Sequence, residues 1–368
     1  MKRLLALALC ALFALTAEAR TLYVDASRPN NNGSGLSRAK AKRTIQAAIN
    51  VAKKGDTILV YPGKYAPIKT NNRKIVVKAV EGRSKTRVVR PKTPTVIEGM
   101  SAAHVVLAEM GKAVKDVYIP TSGIYKGVKR SYTYYAGGTA SAVAGFTLDG
   151  RHWEAATIGA HAGKLKSCTV TRVGGPCVSS RYDSSLAASG SKLVACTFTQ
   201  NILYSDAMFA CCKLNRCIVR NNSLWEAHLA YATSFANTLI VLNDSDPGWD
   251  VGSNNTFANC TLADNVLEFA VPSVVRSRFV NCILRNNYRP VDDCSCVRID
   301  AYSVHSFAQT SKTNKNPKFG DGYRPAKGSY CIDRGKMTEA RAKLLGAKDL
   351  AGRKRVRGGA IDLGCYEY

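Results

Sequence analysis

Between residues 143 and 287 the apolar positions recur in a short block rather than with a helical period. FVNCILRNN (Phe279 to Asn287), FANCTLADN (Phe257 to Asn265) and LNRCIVRNN (Leu214 to Asn222) share a cysteine in the fourth place. Anchored on that place, the copies fall at Phe146, Cys168, Cys196, Cys217, Thr238, Cys260 and Cys282, at spacings of 22, 28, 21, 21, 22 and 22 residues. Three residues before the anchor stand Val143, Leu165, Leu193, Leu214, Phe235, Phe257 and Phe279; two after it stand Leu148, Val170, Phe198, Val219, Ile240, Leu262 and Leu284. The residue just before the anchor is small or polar in each copy, so anchor and anchor-plus-two share one side of a half-buried strand. A fixed period near 22 is the mark of a solenoid.

Asn201, Asn222, Asn243, Asn265 and Asn287 stand five residues after five successive anchors. A helical repeat has no use for such a column. Asn tolerates a left-handed backbone and bonds locally, so these residues are expected at a tight bend, with their amides stacked from coil to coil. Short strands, an Asn at the bend and about 22 residues per coil describe an all-β solenoid, the parallel β-helix. The cysteine column reads as small inward hydrophobes, with disulfides between adjacent rungs as the other reading. Ile45, Ala48, Ile49 and Ala52 are spaced for an amphipathic helix that would cover the first coil, whose edge is otherwise unpaired.

The ends and the charge add a compartment and a partner class. Lys2 and Arg3, an apolar run from Leu4 to Leu15 and Ala17-Glu18-Ala19 form the layout of a secretory signal peptide over 1–19. The run is too short to span a bilayer, and no later stretch replaces it. A secreted, periplasmic or cell-surface protein without a transmembrane segment is therefore expected. Twelve of the 13 cysteines lie beyond residue 19, and an oxidising compartment favours some disulfides. Lys and Arg number 53 against 26 Asp and Glu, a net charge of +27 that attracts polyanions. Outside the cell these are acidic polysaccharides and anionic envelope surfaces. Ten bases between Lys64 and Lys92 face one acid, Glu81, and a second basic run spans Gly352 to Gly359. No aromatic residues alternate with either run, which argues against specific nucleic-acid binding.

The stretch TLYVDASRPNNNGSGLSRAKAKRTIQAAINVAKKGDTILVYPGKY, from Thr21 to Tyr65, resembles the N-terminal segment of exported bacterial right-handed parallel β-helix proteins of the pectin lyase-like superfamily. VAGFTLDG, from Val143 to Gly150, resembles their first regular coil, and NPKFGDGYRPAKGSYCIDRG with DLAGRKRVRGGAIDLGCYEY is similar to their closing segment. The resemblance implies an opening strand and capping helix over 20–65, coils over 66–310 and a closing segment over 311–368. It does not imply one activity, because the superfamily holds lyases, hydrolases and members without a known reaction. In the related proteins a small residue often stands where this chain has Cys331 and Cys365. The paired change is what a disulfide between neighbouring final strands would leave. PVDDCSC, from Pro290 to Cys296, and NDSD, from Asn243 to Asp246, resemble fragments of polygalacturonase motifs, but Gly-His-Gly and Arg-Ile-Lys companions are missing.

Past the bend asparagines, Leu203, Leu224, Ser245, Leu267 and Arg289 align, and the next column holds Tyr204, Trp225, Asp246, Glu268 and Pro290. If the leucines point inward, this second column points outward. Asp246 and Glu268 would then lie about 5 Å apart, one rung step, near the spacing of a retaining glycosidase pair. Tyr204 and Trp225 would be stacking platforms, with His228 and Trp249 as further substrate contacts. Asp244, Asp246 and Asp250 are the residues that could supply oxygens to calcium, the one cofactor suggested. The expected function is binding, with cleavage as an added step, of an acidic polysaccharide by a monomer. The alternative is a noncatalytic surface or structural module.

Overall fold

Each repeat folds as one coil, and the alternation seen in the sequence is that of its strands. In the coil built on Cys217, strand Lys213–Asn215 turns Leu214 inward, the chain bends, and strand Ile218–Arg220 turns Val219 inward beside the cysteine. The computed structural model describes residues 18–90, 105–110, 112–118, 130–136, 141–151, 157–161, 163–174, 178–179, 191–203, 207–225, 227–245, 251–266, 277–287, 298–299, 304–305 and 315–368. Among them, the first strands of successive coils stack into an 11-stranded parallel sheet and the second strands into one of 10. Register places Leu165, Leu193, Leu214, Phe235, Phe257 and Phe279 in one column. A sheet of six strands and one of three close the coils, so the expected parallel β-helix is the observed fold. An antiparallel hairpin, Lys112–Tyr118 with Arg130–Ala136, is inserted in the chain between the strands Val105–Glu109 and Ala142–Ala144.

All seven anchors are at most 1% exposed, and the five anchor cysteines are free thiols, as space-filling predicts. Beside them, Phe235, Phe257 and Phe279 stack with ring centroids 4.6 Å apart. The bends are left-handed, but one residue earlier than expected on the asparagine column. Gln200, Asn221, Leu242, Asp264 and Asn286 carry φ between 50° and 56°. The asparagine that follows each of them is buried and stacks: Nδ2 of Asn201, Asn222, Asn243 and Asn265 donates to Oδ1 of the next, at 2.8–2.9 Å. A side-chain amide can both donate along the axis and accept from the rung below, so the column needs Asn while the bend does not. The small or polar residue before each anchor is also a left-handed bend, from Gly145 to Asn281.

Stacking begins earlier than Val143. Thr21–Val24 pairs with Thr57–Val60, and Gly63–Tyr65 with Thr86–Val89, so the opening segment already builds rungs. Their strands are joined by longer connections, which removes the anchor that marks later coils. Helix α1 (Ile45–Val51) covers this end as expected, with Ile45, Ala48 and Ile49 buried and Thr44 Oγ1 accepting from Ala47 N.

The described part of the closing segment, residues 315–368, runs back along the flank, over the corner between the two long sheets. Helix α2 (Glu339–Leu345) and Ile361 pack on Ala236 and Ala258; Cys365 and Tyr366 pack on Leu239, Val241 and Ala263; Cys331 and Leu363 pack on Ile283. This explains why Leu239–Val241 and Thr261–Ala263 are buried at every position rather than at alternate ones. Bend asparagines hold the segment, Asn237 Nδ2 donating to Leu345 O, Asn259 Nδ2 to Asp362 O and Asn281 Nδ2 to Lys336 O.

The expected disulfide is not formed: Cys331 and Cys365 are both buried free thiols. Leu363 N donates to Cys331 O, which pairs Cys331 with Leu363 rather than with Cys365. Two residues on, Cys365 turns to the coil, its Sγ 3.4 Å from Thr261 Oγ1. Gly364 between them, at φ 84°, admits this approach, since a Cβ there would lie 2.6 Å from the same oxygen.

Candidate functional site

The asparagine column delivers the chain to a short outer face where part of the expected site lies. Strand Ser223–Leu224 pairs with Ile202–Leu203 and Asp244–Ser245, and Asp244 bridges to Val266. Leu203 and Leu224 are buried, Ser245 of the same column is half-buried, and Trp225, the one described member of the next column, is 51% exposed. His228 opens the next strand, half-buried, its ring 4.9 Å from that of Tyr231. Asp244 is exposed and accepts a bond of 2.6 Å from Ser223 Oγ. Tyr204, Asp246, Trp249, Asp250 and Glu268 lie outside the described residues. Asp244 is thus the single described member of the suggested calcium set, and no group of three ligating side chains occurs among the described residues.

The basic clusters prove to be two different things. Within Lys64 to Arg90, acids from distant coils enter. Lys69 pairs with Glu109 at 3.2 Å, and Arg87 and Arg172 both pair with buried Asp149. Burial works to raise the Asp149 carboxyl, but the Arg172 and Arg87 guanidiniums and the Arg151 amide outweigh it and hold it below the usual range. Arg73 Nη1 donates to Ile49, Asn50 and Ala52 carbonyls at the end of α1. In the second run, Arg353 pairs with Asp349, Arg355 is buried against Glu367, and Arg357 Nη1 bonds Tyr368 O. Most of these cations are therefore structural.

Five of the lysines left to solvent form an ordered array that the composition of the basic runs does not reveal. Lys164, Lys192 and Lys213 are direct neighbours on the outer side of the first long sheet, and all three are exposed. Lys166 and Lys78 stand beside them on the same face, with Ala142 and Ala144 between as a low floor. Among the described residues no carboxylate pairs with any of these five lysines. The signal was present: each ladder lysine stands four residues before its anchor, a column next to the apolar one at minus three. Loop 80–85 borders this face along the corner, where Arg83 Nη1 reaches Cys168 O and Thr197 Oγ1. Helix α2 bounds it in the other direction, with Asn215 Nδ2 on Leu345 O.

A cleft of about 280 Å³ in the closing segment is lined by Asp333, Asp362, Glu367, Arg357, Gly358, Ile332 and Tyr368. Its carboxylates are occupied with holding the chain: Asp362 accepts from Asp333 N and Tyr368 N, and Asp333 from Ala360 N. Burial pushes the Glu367 carboxyl from 4.5 up to about 7, against the nearby Arg355. A folded-state value above the unfolded one means that the folded protein holds an extra proton between about pH 4.5 and 7. Stability should accordingly fall as pH rises through that window and level off above it. Melting temperatures should be higher at about pH 5 than at about pH 8, and Glu367→Gln should flatten the difference. An unchanged profile in the variant would show that Glu367 is not the titrating group.

No family profile and no curated protein matches the sequence. Solved structures similar to this chain include the pectate lyase Pel9A, at 13% identity over 95% of this chain and 97% of that one, with a TM-score of 0.48. A pectin methylesterase from carrot is 10% identical over 79% and 90% of the two chains, at 0.42, and a rhamnogalacturonan lyase 11% identical over 77% and 87%, at 0.40. The fold rests on the strand register itself. Among the described residues no helix is long and apolar enough to cross a membrane.

Proposed function

We propose that this protein is exported and binds an acidic polysaccharide along the outer face of its coils. The observation that carries the reading is the exposed lysine array, Lys164, Lys192 and Lys213 with Lys166 and Lys78, which has no carboxylate partner among the described residues. A face of like charges costs folding energy through self-repulsion, and a bound polyanion relieves it. The signal-peptide layout at the N-terminus supports export, to where extracellular polymers are found.

Cleavage is a second reading, supported by exposed Trp225 and the continuous register from Ser223 through Asp244 to Val266. Asp246 and Glu268 are proposed as its acid–base pair and Tyr204, His228 and Trp249 as contacts. If calcium takes part, Asp244, Asp246 and Asp250 are the residues to hold it.

The test is retention of the mature protein on immobilised polygalacturonate. Raising salt from about 0.1 M to about 1 M shortens the screening length from ~10 Å to ~3 Å and should release it. Retention that ignores salt would rule out charge as the basis of recognition. In the same samples, unsaturated products would indicate lyase action and new reducing ends alone hydrolysis, either being lost in Glu268→Gln. Binding without either product would favour a noncatalytic surface module.

A further inference from the structure

The lysine array has a spacing and a length, and both are consequences of the fold. Because Lys164, Lys192 and Lys213 are register partners in a parallel sheet, their Cα atoms repeat at the strand spacing of ~4.8 Å along the rod axis. That spacing cannot drift, since the backbone ladder joins every rung and the buried Asn column, which starts at Asn201, adds its own bonds in the coils of Lys192 and Lys213. Lys78 and Lys166 form a second row, two residues further along the same strands. The array is also finite. Toward the N-terminus the outward positions become Thr57, Leu59, Thr21 and Tyr23, which carry no charge. Toward the C-terminus the lysine row gives way to Ser234 and Thr256, two uncharged rungs before Arg278, and the row beside it to Asn215, Ala236 and Ala258, where α2 docks. From the rung of Lys78 to that of Lys213 there are four steps, about 19 Å in all.

We propose, on the reading that the face binds an acidic polysaccharide, that the polymer lies parallel to the rod axis and is read by its charge spacing. The ligand chemistry is a linear chain with one anionic group per sugar, long enough to cover about five rungs. A 1,4-linked pyranose is close to one rung in length. A uronate homopolymer therefore brings three successive carboxylates over Lys164, Lys192 and Lys213 without bending, crosses the uncharged rung of Ala142 and Ala144, whose small side chains let the sugar backbone approach the sheet, and meets Lys78 on the next. A polymer charged on every second sugar meets alternate rungs and leaves a lysine between them uncompensated. Lysine suits this task, since a flexible stem with a point charge accommodates the rotation of successive carboxylates.

The experiment measures dissociation constants of galacturonate oligomers from two to eight sugars, beside hyaluronan oligomers of equal total charge, all at one low ionic strength. Affinity for the galacturonates should rise steeply up to about three sugars, gain little from a fourth over the rung of Ala142 and Ala144, rise again at about five and then level off, while hyaluronan of equal charge should bind at least about tenfold more weakly. The triple variant Lys164→Gln, Lys192→Gln, Lys213→Gln should erase the difference between the two polymers without lowering the melting temperature, because these side chains are exposed and their removal relieves self-repulsion. Equal affinity at equal charge, or a rise that continues past eight sugars, would overturn spacing recognition and leave polysaccharide binding standing. Absence of binding to either polymer would overturn the underlying reading as well.

Discussion

Replacing Asn243 by Ala is expected to destabilise the coils by about 2 to 4 kcal/mol, the cost of orphaning buried donors and acceptors inside a ladder. Asn243 Oδ1 accepts from both Asn222 N and Asn222 Nδ2, at 3.2 and 2.8 Å, while its own Nδ2 serves Asn265 Oδ1 and the Val219 and Val241 carbonyls. Alanine withdraws all of these at a residue 1% exposed, where water cannot substitute. The neighbouring rungs lose a partner too, so the damage should spread along the axis, as expected where each repeat contacts its neighbours. Hydrogen exchange is the measurement: amides at Asn222 and Asn265 should lose protection together with residue 243, and loss confined to residue 243 would show that the ladder is not cooperative. Asn243→Asp gives a sharper control. It keeps an acceptor for Asn222 but points a second acceptor at carbonyls, so its defect should lessen at acid pH, where the carboxyl is protonated and can donate.

Truncating Phe257 to Ala should cost about 3 to 5 kcal/mol, through the apolar surface lost and the cavity left between Phe235 and Phe279. Those rings lie parallel above and below it, within 8° of its plane. A cavity at this place has little means of collapse, because the strands on either side are held at fixed spacing by their backbone bonds. Phe257→Leu should recover much of the loss, since it refills most of the volume. Urea titration of the three proteins checks this. A loss below about 1 kcal/mol for the alanine variant would mean that the stack relaxes freely.

Asn243 and Phe257 are both legible as important from the repeat pattern, and for the same reason. A parallel coil returns each repeat position to the same column, so a 22-residue period in sequence is a straight line in space. The anchors, the apolar columns and the asparagine column can be aligned by counting, and the strand register reproduces that alignment rung for rung. The capping helix is legible because its apolar spacing and its Thr44 cap are local signals. The lysine ladder obeys the same arithmetic. It stays hidden beside the apolar column because exposed charge at one position per repeat is what any solvated face shows, and only the absence of facing carboxylates among the described residues distinguishes it.

What the sequence alone determined, then, is everything that depends on period: the solenoid, its inward columns and its bends to within one residue. Where contacts join segments that share no period, tertiary structure decided. Asp149 gathers Arg87 and Arg172 from different coils, which converts part of an apparent basic field into structural ion pairs. The closing segment packs on the flank, where Leu239, Val241, Ala258 and Ile283 offer it an apolar surface. Its two cysteines, which suggested a bond, were separated by that same docking, one facing Leu363 and the other Thr261. Such choices turn on which of several buried surfaces a non-repeating segment covers best, a comparison of packing energies that no single position in the chain encodes.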